Sequence, residues 1–308
     1  MNGVDAMRDR AVVVGYDASP NSRDAVRWAA REARRTGGPL IAVYSIDPNP
    51  VAPSFTGAVA PEGLDEQTLR KAAEQVLGEL EQVLSEKAGD IEVRTSIPLG
   101  HAAPGLLAVA DQENAEVVVV GATGHTAVAR AVLGSTTDAL LRAARRPVVV
   151  ARGAGDPDGD VVVGIAGDGS SNAAVAFAAE YATRHGKRLR AVHGWTADPL
   201  PGLGPGPGLG AVEVWGTHPE RGDEVADELV RGPLAPVLAA HPAISVQVEA
   251  VPEPPGQVLM ERAASASLLV VGTHGRGALR RMLLGSVSHH AAHVAPCPVA
   301  VVHGKCEL

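Results

Sequence analysis

Two segments of the chain, 151 residues apart, carry nearly the same sequence. Residues 118–135 read VVVGATGHTAVARAVLGS, and residues 269–286 read LVVGTHGRGALRRMLLGS. In each copy an apolar run ends in Gly-x-x-Gly, nine residues follow, and a Gly-Ser pair opens a helical pattern. Main-chain amides at such a helix start can hold an anion. The repeat therefore predicts two copies of one nucleotide-binding unit.

The alternation of strands and helices predicts the fold of each copy. A length of 308 residues suits two domains of about 150 residues. Continuous apolar runs, such as residues 11–15, indicate strands buried on both faces, and helical patterns separate them. We therefore expect an α/β fold of two tandem domains, residues 8–152 and 160–304, each a five-stranded parallel sheet flanked by helices. The predicted strands are 11–15, 40–45, 91–97, 116–121, 147–151, 161–166, 189–194, 244–251, 268–272 and 298–303. The predicted helices include 67–87, 104–112, 136–144, 172–185, 220–240, 256–265 and 287–294, with Pro- and Gly-rich loops at 47–65 and 198–210.

Charge and composition exclude several classes of protein. The formal net charge of −8 argues against binding to a nucleic-acid backbone, which needs clustered cations. No run approaches the about 20 apolar residues that span a bilayer, and the first ten residues lack the apolar core of a secretory signal. Two cysteines do not form a disulfide framework in a chain of this length. We expect a cytoplasmic protein without a membrane partner.

The glycine loops are the candidate phosphate sites. Glycine lacks Cβ, so the backbone can turn sharply and approach a ligand closely. A Gly-Ser pair then places amides and a hydroxyl at the first turn of a helix, where the dipole favours anions. The alternative is that the glycines only turn a strand into a helix. The residues assigned to phosphate are Gly121, Gly124, Gly134, Ser135 and Thr136 in the first copy, and Gly272, Gly275, Gly285, Ser286 and Val287 in the second.

Charged residues near the strand ends complete each predicted site. Asp17 follows the first strand, and the 151-residue offset carries it to Asp168. A carboxylate only accepts hydrogen bonds, so it suits a ribose hydroxyl or an adenine amine. A helix cap is the alternative role, and small residues before Asp168 weaken its equivalence to Asp17. His125 and Arg276 share one position in the two loops and either contact phosphate or lie on a solvated surface.

Signatures of other chemistry are missing from the sequence. No G-x-x-x-x-G-K-[ST] motif occurs, and no G-x-G-x-x-G follows the first strand of either half. No acid–base pair or nucleophile motif requires catalysis, so we assign no catalytic residue. The spacing of His289 and His293, with His290 between them, could bind a metal. No further carboxylate or cysteine pattern completes such a site, so surface histidines are the favoured interpretation.

Each half resembles a universal stress protein domain, and the resemblance covers nearly the whole chain. The family's ATP-binding members carry G-x-x-G, nine residues and G-[ST], which both glycine loops match, and an aspartate after the first strand. The resemblance implies a fold related to adenine-nucleotide hydrolases, bound ATP with Mg²⁺, and adenine contacts from the backbone at Val43 and Val192. It also implies pairing of the two domains through their fifth strands and allows a homodimer. Ala18 stands where the family often has glycine.

Three functions follow from these observations as hypotheses. The first is an ATP-binding regulator in stress or dormancy, in which ATP shifts conformation or partner choice. The second is a slow ATPase or a related nucleotide-processing enzyme, although the SGG-x-D-S loop and H-x-G-H pair of neighbouring enzyme families do not occur. The third is a dimerisation module whose loops no longer hold a ligand, which the intact glycines argue against.

Overall fold

The chain divides into two compact units, Met1–Arg152 and Gly153–Leu308. They are seen in a computed structural model. None of its described helices combines the length and apolar character needed to cross a bilayer. The structure describes residues 10–47, 66–88, 91–124, 133–166, 169–195, 219–273 and 284–304. The predicted loops at 47–65 and 198–210 therefore lie almost wholly outside the described residues.

The first unit alternates strands and helices in the predicted order. Every strand and helix predicted in the described part is present, and the ends differ by at most two residues. The second unit repeats this order with the same number of described strands. The elements of the first unit are β1 (Val12–Gly15), α1 (Pro20–Thr36), β2 (Leu40–Val43), α2 (Glu66–Ala88), β3 (Val93–Ser96), α3 (Ala102–Gln112), β4 (Val117–Gly121), α4 (Ser135–Ala143) and β5 (Val148–Ala151). Those of the second are β6 (Asp160–Gly164), α5 (Asn172–His185), β7 (Leu189–Gly194), α6 (Pro219–Ala240), β8 (Val246–Val251), α7 (Pro255–Ala263), β9 (Ala266–Gly272), α8 (Ser286–Val294) and β10 (Val299–Val302).

Each unit contains the predicted parallel sheet. In the first unit the strand order is β3-β2-β1-β4-β5, and every pairing is parallel. In the second the order is β8-β7-β6-β9-β10, again wholly parallel. The five-stranded α/β architecture is therefore confirmed in both units. In such a sheet the chain leaves neighbouring strands at one edge, so the segments after β1 and β4 meet there.

Helix α1 shows how the sequence positions the first of these segments. The Ser19 hydroxyl accepts a hydrogen bond from the amide of Ser22 at 3.1 Å and caps the helix. Pro20 occupies the first turn, where its missing N–H costs nothing. Gly37 ends the helix in the left-handed conformation, with φ 79°. The helix buries Trp28 and a row of alanines, so its start is fixed against the sheet.

Cys297, between α8 and β10, gives the second unit a measurable pH dependence. The residue is fully buried, and burial raises the pKa of its thiol to about 12, because a thiolate there lacks solvation. The folded thiol stays protonated, whereas the unfolded one ionises near the ordinary pKa of 9.0. Its contribution to stability is therefore complete below pH 9.0 and is lost as the pH rises towards about 12.

We expect Cys297→Ala to remove this alkaline loss of stability. Between pH 9.0 and about 12 the unfolded thiol releases a proton that the folded thiol keeps. The free energy of unfolding of the unaltered chain therefore falls by up to about 1.4 kcal/mol per pH unit. Urea unfolding of both proteins at several pH values measures the difference in slope. Any cavity left by the substitution shifts the variant's stability equally at every pH. Parallel curves above pH 9.0 would contradict a protonated buried thiol.

Candidate functional site

The carboxylate of Asp17 is held by a tight turn between β1 and α1. Its Oδ1 accepts a hydrogen bond from the amide of Ser19 at 2.9 Å, and the side chain is half-buried. Between them Ala18 adopts φ 63°, in the left-handed region. That conformation costs a residue with Cβ about 1–2 kcal/mol. The departure from glycine at Ala18 therefore places backbone strain directly beside the carboxylate.

The two glycines after β4 have different neighbours. A Cβ on Gly121 would lie 2.7 Å from the carbonyl carbon of Asn21, in the backbone of α1. A Cβ on Gly124 would lie 2.6 Å from Oδ2 of Asp17, the end of a side chain. The side-chain amide of Asn21 also donates a hydrogen bond, from Nδ2 to the hydroxyl of Thr123. Gly121 thus allows the helix to approach the strand, and Gly124 leaves the space that the carboxylate occupies.

The loop containing Gly124 meets the start of α4. The amide of Gly134 donates to the carbonyl of Ala122 at 2.8 Å, and a Cβ on Gly134 would lie 3.6 Å from the Gly124 nitrogen. Gly134 is the N-cap with φ −68° and ψ 149°, and no side chain caps it. Ser135 follows in the first turn and is exposed. The structure therefore brings Asp17, Gly124 and an uncapped helix N-terminus together, which can hold an anion at one end and donor groups at the other.

The second domain repeats the helix start. The amide of Gly285 donates to the carbonyl of Thr273 at 2.8 Å, the counterpart of the bond between Gly134 and Ala122. Gly285 caps α8 with φ −63° and ψ 154°, again without a side-chain hydrogen bond. Ser286 is exposed in the first turn. The starts of α4 and α8 are therefore structurally equivalent at the offset of 151 residues, since 285 − 134 = 151.

The offset is different where β1 and β2 are compared with β6 and β7. Val43 accepts a hydrogen bond from the amide of Tyr16, and Val192 accepts one from Ile165, both at 2.9 Å. The equivalent residues are thus 149 apart, since 192 − 43 = 149. Both valines are buried, and their carbonyls belong to the sheet. Their predicted contact with adenine stays a prediction.

The same register places Ala166, not Asp168, at the position of Asp17. The amide of Asp17 donates to the hydroxyl of Ser22 at 3.4 Å, and the amide of Ala166 donates to that of Ser171 at 3.3 Å. Both pairs again differ by 149 residues, since 166 − 17 and 171 − 22 give that number. The offset of 151 residues in the glycine loops would instead pair Asp17 with Asp168. Asp168 itself lies outside the described residues, and its role stays a prediction.

Of the remaining predicted site residues, three lie in the described part of the chain and four do not. Gly272 ends β9, while Thr136 and Val287 lie in the first turns of α4 and α8, partly exposed. His193, which no sequence motif singles out, is buried on β7 with Nδ1 2.7 Å from the carbonyl oxygen of Ile165. A histidine at the end of an apolar strand was the signal available. Four predicted site residues lie outside the described part of the chain, namely His125, Asp168, Gly275 and Arg276.

Known proteins resemble this chain in sequence and in fold. The model of the universal stress protein family matches residues 9–152 and 159–303. A universal stress protein of Mycolicibacterium smegmatis is 35% identical over 308 residues, covering 98% of this chain and 100% of that protein. One from Mycobacterium tuberculosis is 34% identical, covering 96% and 97%. The crystal structure of a universal stress protein from Archaeoglobus fulgidus matches with a TM-score of 0.66 at 20% identity, covering 96% of this chain and 97% of that one.

Proposed function

This chain belongs to the universal stress protein family, and on that premise we propose that it is an ATP-binding regulator whose principal nucleotide site lies in the first domain. ATP acts as a ligand that stabilises one state of the protein, by an amount set by its concentration relative to its affinity. The site residues are Asp17, Gly121, Gly124, Gly134, Ser135 and Thr136, with the Val43 backbone at the adenine.

One observation carries the proposal. Asp17 Oδ2 occupies the space that a Cβ on Gly124 would fill, and the Gly124 nitrogen borders the uncapped start of α4. A hydrogen-bond acceptor for a sugar or base, on the turn after β1, therefore lies against the loop after β4, which leads to the helix start that can hold phosphate. A nucleoside phosphate carries both complementary groups, since its hydroxyls donate and its phosphates accept. A dimerisation module would need neither.

The two domains differ in a way that makes the first the principal site. Both have a helix start suited to phosphate, at which the N-cap residue is a glycine without a side-chain hydrogen bond, Gly134 in α4 and Gly285 in α8. Only the first has a carboxylate at the position shared by Asp17 and Ala166. An alanine methyl cannot accept a hydrogen bond. Among the described residues, therefore, the second domain keeps the helix start that binds the phosphates of a nucleotide and has no counterpart of the Asp17 contact to the nucleoside.

Other parts of the proposal rest on the family resemblance. Mg²⁺ accompanies ATP because it binds phosphate oxygens readily and keeps several waters. The two domains associate within the chain through their fifth strands, and the protein acts in the cytoplasm during stress or dormancy. A separately produced first domain that shows the affinity and stability of the full chain would argue against that association.

Binding of ATP by the purified full chain tests the proposed function. Calorimetric titration with ATP and Mg²⁺ should give saturable binding, and thermal unfolding should move to higher temperature with ATP concentration. Chromatography of the released nucleotide determines whether ATP is recovered intact, which separates a regulator from an ATPase. Inorganic triphosphate is the control for phosphate contacts alone. Absence of both saturation and a thermal shift would reject the proposal.

A further inference from the structure

Two histidine side chains converge on the surface of α8, one helical turn apart. The Nε2 atoms of His289 and His293 lie 3.1 Å apart, with ring centroids at 4.2 Å and ring planes tilted by 41°. His289 is exposed, and His293 is partly exposed. Residues four apart lie on one face of a helix, so this backbone holds the two nitrogens side by side. Two imidazole nitrogens thus lie side by side on this helix.

The equivalent positions of the first domain carry different chemistry. Helix α4 has Asp138 and Arg142, joined by hydrogen bonds of 2.9 and 3.0 Å, and both pairs obey the offset of 151 residues, since 289 − 138 and 293 − 142 give that number. Opposite charges attract without any third component. Two imidazoles have no such attraction, and two protonated rings repel. Their nitrogens can share one proton, or both can donate lone pairs to a cation.

The separation of the two nitrogens suits coordination of a transition metal. With metal–nitrogen bonds of about 2.0–2.1 Å, two ligands lie about 2.9 Å apart at a right angle and about 3.4 Å apart at a tetrahedral angle. The observed 3.1 Å falls between these limits. Imidazole favours zinc, copper and nickel over hard cations such as magnesium.

We propose that His289 and His293 chelate a divalent transition-metal ion, for which Zn²⁺ and Ni²⁺ are the probes. The described part of the chain holds no group of three or more candidate ligands, so the two imidazoles are the donors that we assign to the ion. With the ion bound, each Nε2 donates its lone pair to the ion and each ring carries its proton on Nδ1. This site is separate from the proposed nucleotide site and does not depend on it.

Titration of the untagged full chain tests the site. Zn²⁺ and Ni²⁺ should each bind and raise the temperature of unfolding, whereas Mg²⁺ should not. His289→Ala and His293→Ala should each weaken the binding by about tenfold or more, because one donor loses the effective concentration supplied by the other. His290→Ala is the matched control, since His290 is exposed on the same helix and is not part of the pair. It should bind as the unaltered chain does.

A gain-of-site variant tests the geometry independently of any loss of stability. Asp138→His together with Arg142→His recreates the pair on α4 and should add one bound ion per chain. Affinity unchanged in both His289→Ala and His293→Ala would overturn the proposal, as would an equal loss in His290→Ala. Failure of the double variant to gain an ion, with its fold confirmed by circular dichroism, would contradict the geometric argument.

Discussion

Gly124→Ala is expected to leave the first domain folded and to weaken its binding of ATP by about tenfold to a hundredfold. The new Cβ would lie 2.6 Å from Oδ2 of Asp17, and it would contact no other described atom closer than 3.9 Å. A carboxylate side chain can rotate away, so the fold survives while the acceptor leaves its place. Loss of a hydrogen bond to a charged group costs about 1.5–3 kcal/mol, which gives this range. Calorimetric titration with ATP measures the effect.

The neighbouring glycine is the control for that experiment. Gly121→Ala would put Cβ 2.7 Å from the carbonyl carbon and 2.9 Å from the carbonyl oxygen of Asn21. Backbone atoms cannot rotate away, so helix α1 must shift, and we expect a loss of about 1–3 kcal/mol in stability. Thermal unfolding of the two variants should therefore separate a site defect from a packing defect. Equal destabilisation by both substitutions would contradict the difference between the two contacts.

A second control tests whether Gly124 acts through Asp17. In chains that already carry Asp17→Ala, the Gly124→Ala substitution should add little further loss of affinity, because the group it displaces is gone. Substitutions of two residues in direct contact generally have non-additive effects of this kind. Fully additive losses would mean that the methyl group blocks the ligand itself. That result would be consistent with the proposed ATP site and would contradict the proposal that Gly124 acts through Asp17.

The sequence was sufficient to predict the fold because the local signals agree with the tertiary structure. The buried strands are continuous apolar runs, and Ser19, Pro20 and Gly37 mark the ends of α1 by their own chemistry. The bounds of α5 and β7 were predicted to the residue. Strand ends were less certain, because a strand stops where its partner stops. The third strand was predicted at 91–97, and only Val93–Ser96 pairs with β2.

The site was harder to predict because a single offset does not hold throughout the repeat. The glycines and the starts of α4 and α8 keep the spacing of 151, while β1 and β2 match β6 and β7 at 149. A spacing of 151 carries Asp17 to Asp168 and a spacing of 149 carries it to Ala166, and a motif comparison favours Asp168 because the residue type is the same. The hydrogen bonds to Ser22 and Ser171 settle the backbone equivalence. They depend on tertiary structure, which a motif search does not see.

The non-equivalence of the two domains leads to the second large prediction. Asp17→Ala should lower the affinity of the tighter ATP site by about tenfold or more, because the hydrogen-bond donor of the ligand then loses its acceptor at position 17. Asp168→Ala should have a much smaller effect, because the backbone position of Asp17 belongs to Ala166 in the second domain. ATP titrations of the two single variants measure the contrast.

A carboxylate introduced at position 166 should strengthen the binding of nucleotide by the second domain. Ala166→Asp puts an acceptor at the backbone position equivalent to Asp17, in a domain whose helix start at Gly285 already matches that of α4. The weaker site should then bind ATP more tightly, while its affinity for inorganic triphosphate should not rise, since a carboxylate repels phosphate and serves only the nucleoside. Ala166→Asn, of similar size and uncharged, separates the effect of charge from that of volume. If Asp168→Ala instead costs as much affinity as Asp17→Ala, the loop after β6 supplies the carboxylate by another path and the two sites are equivalent.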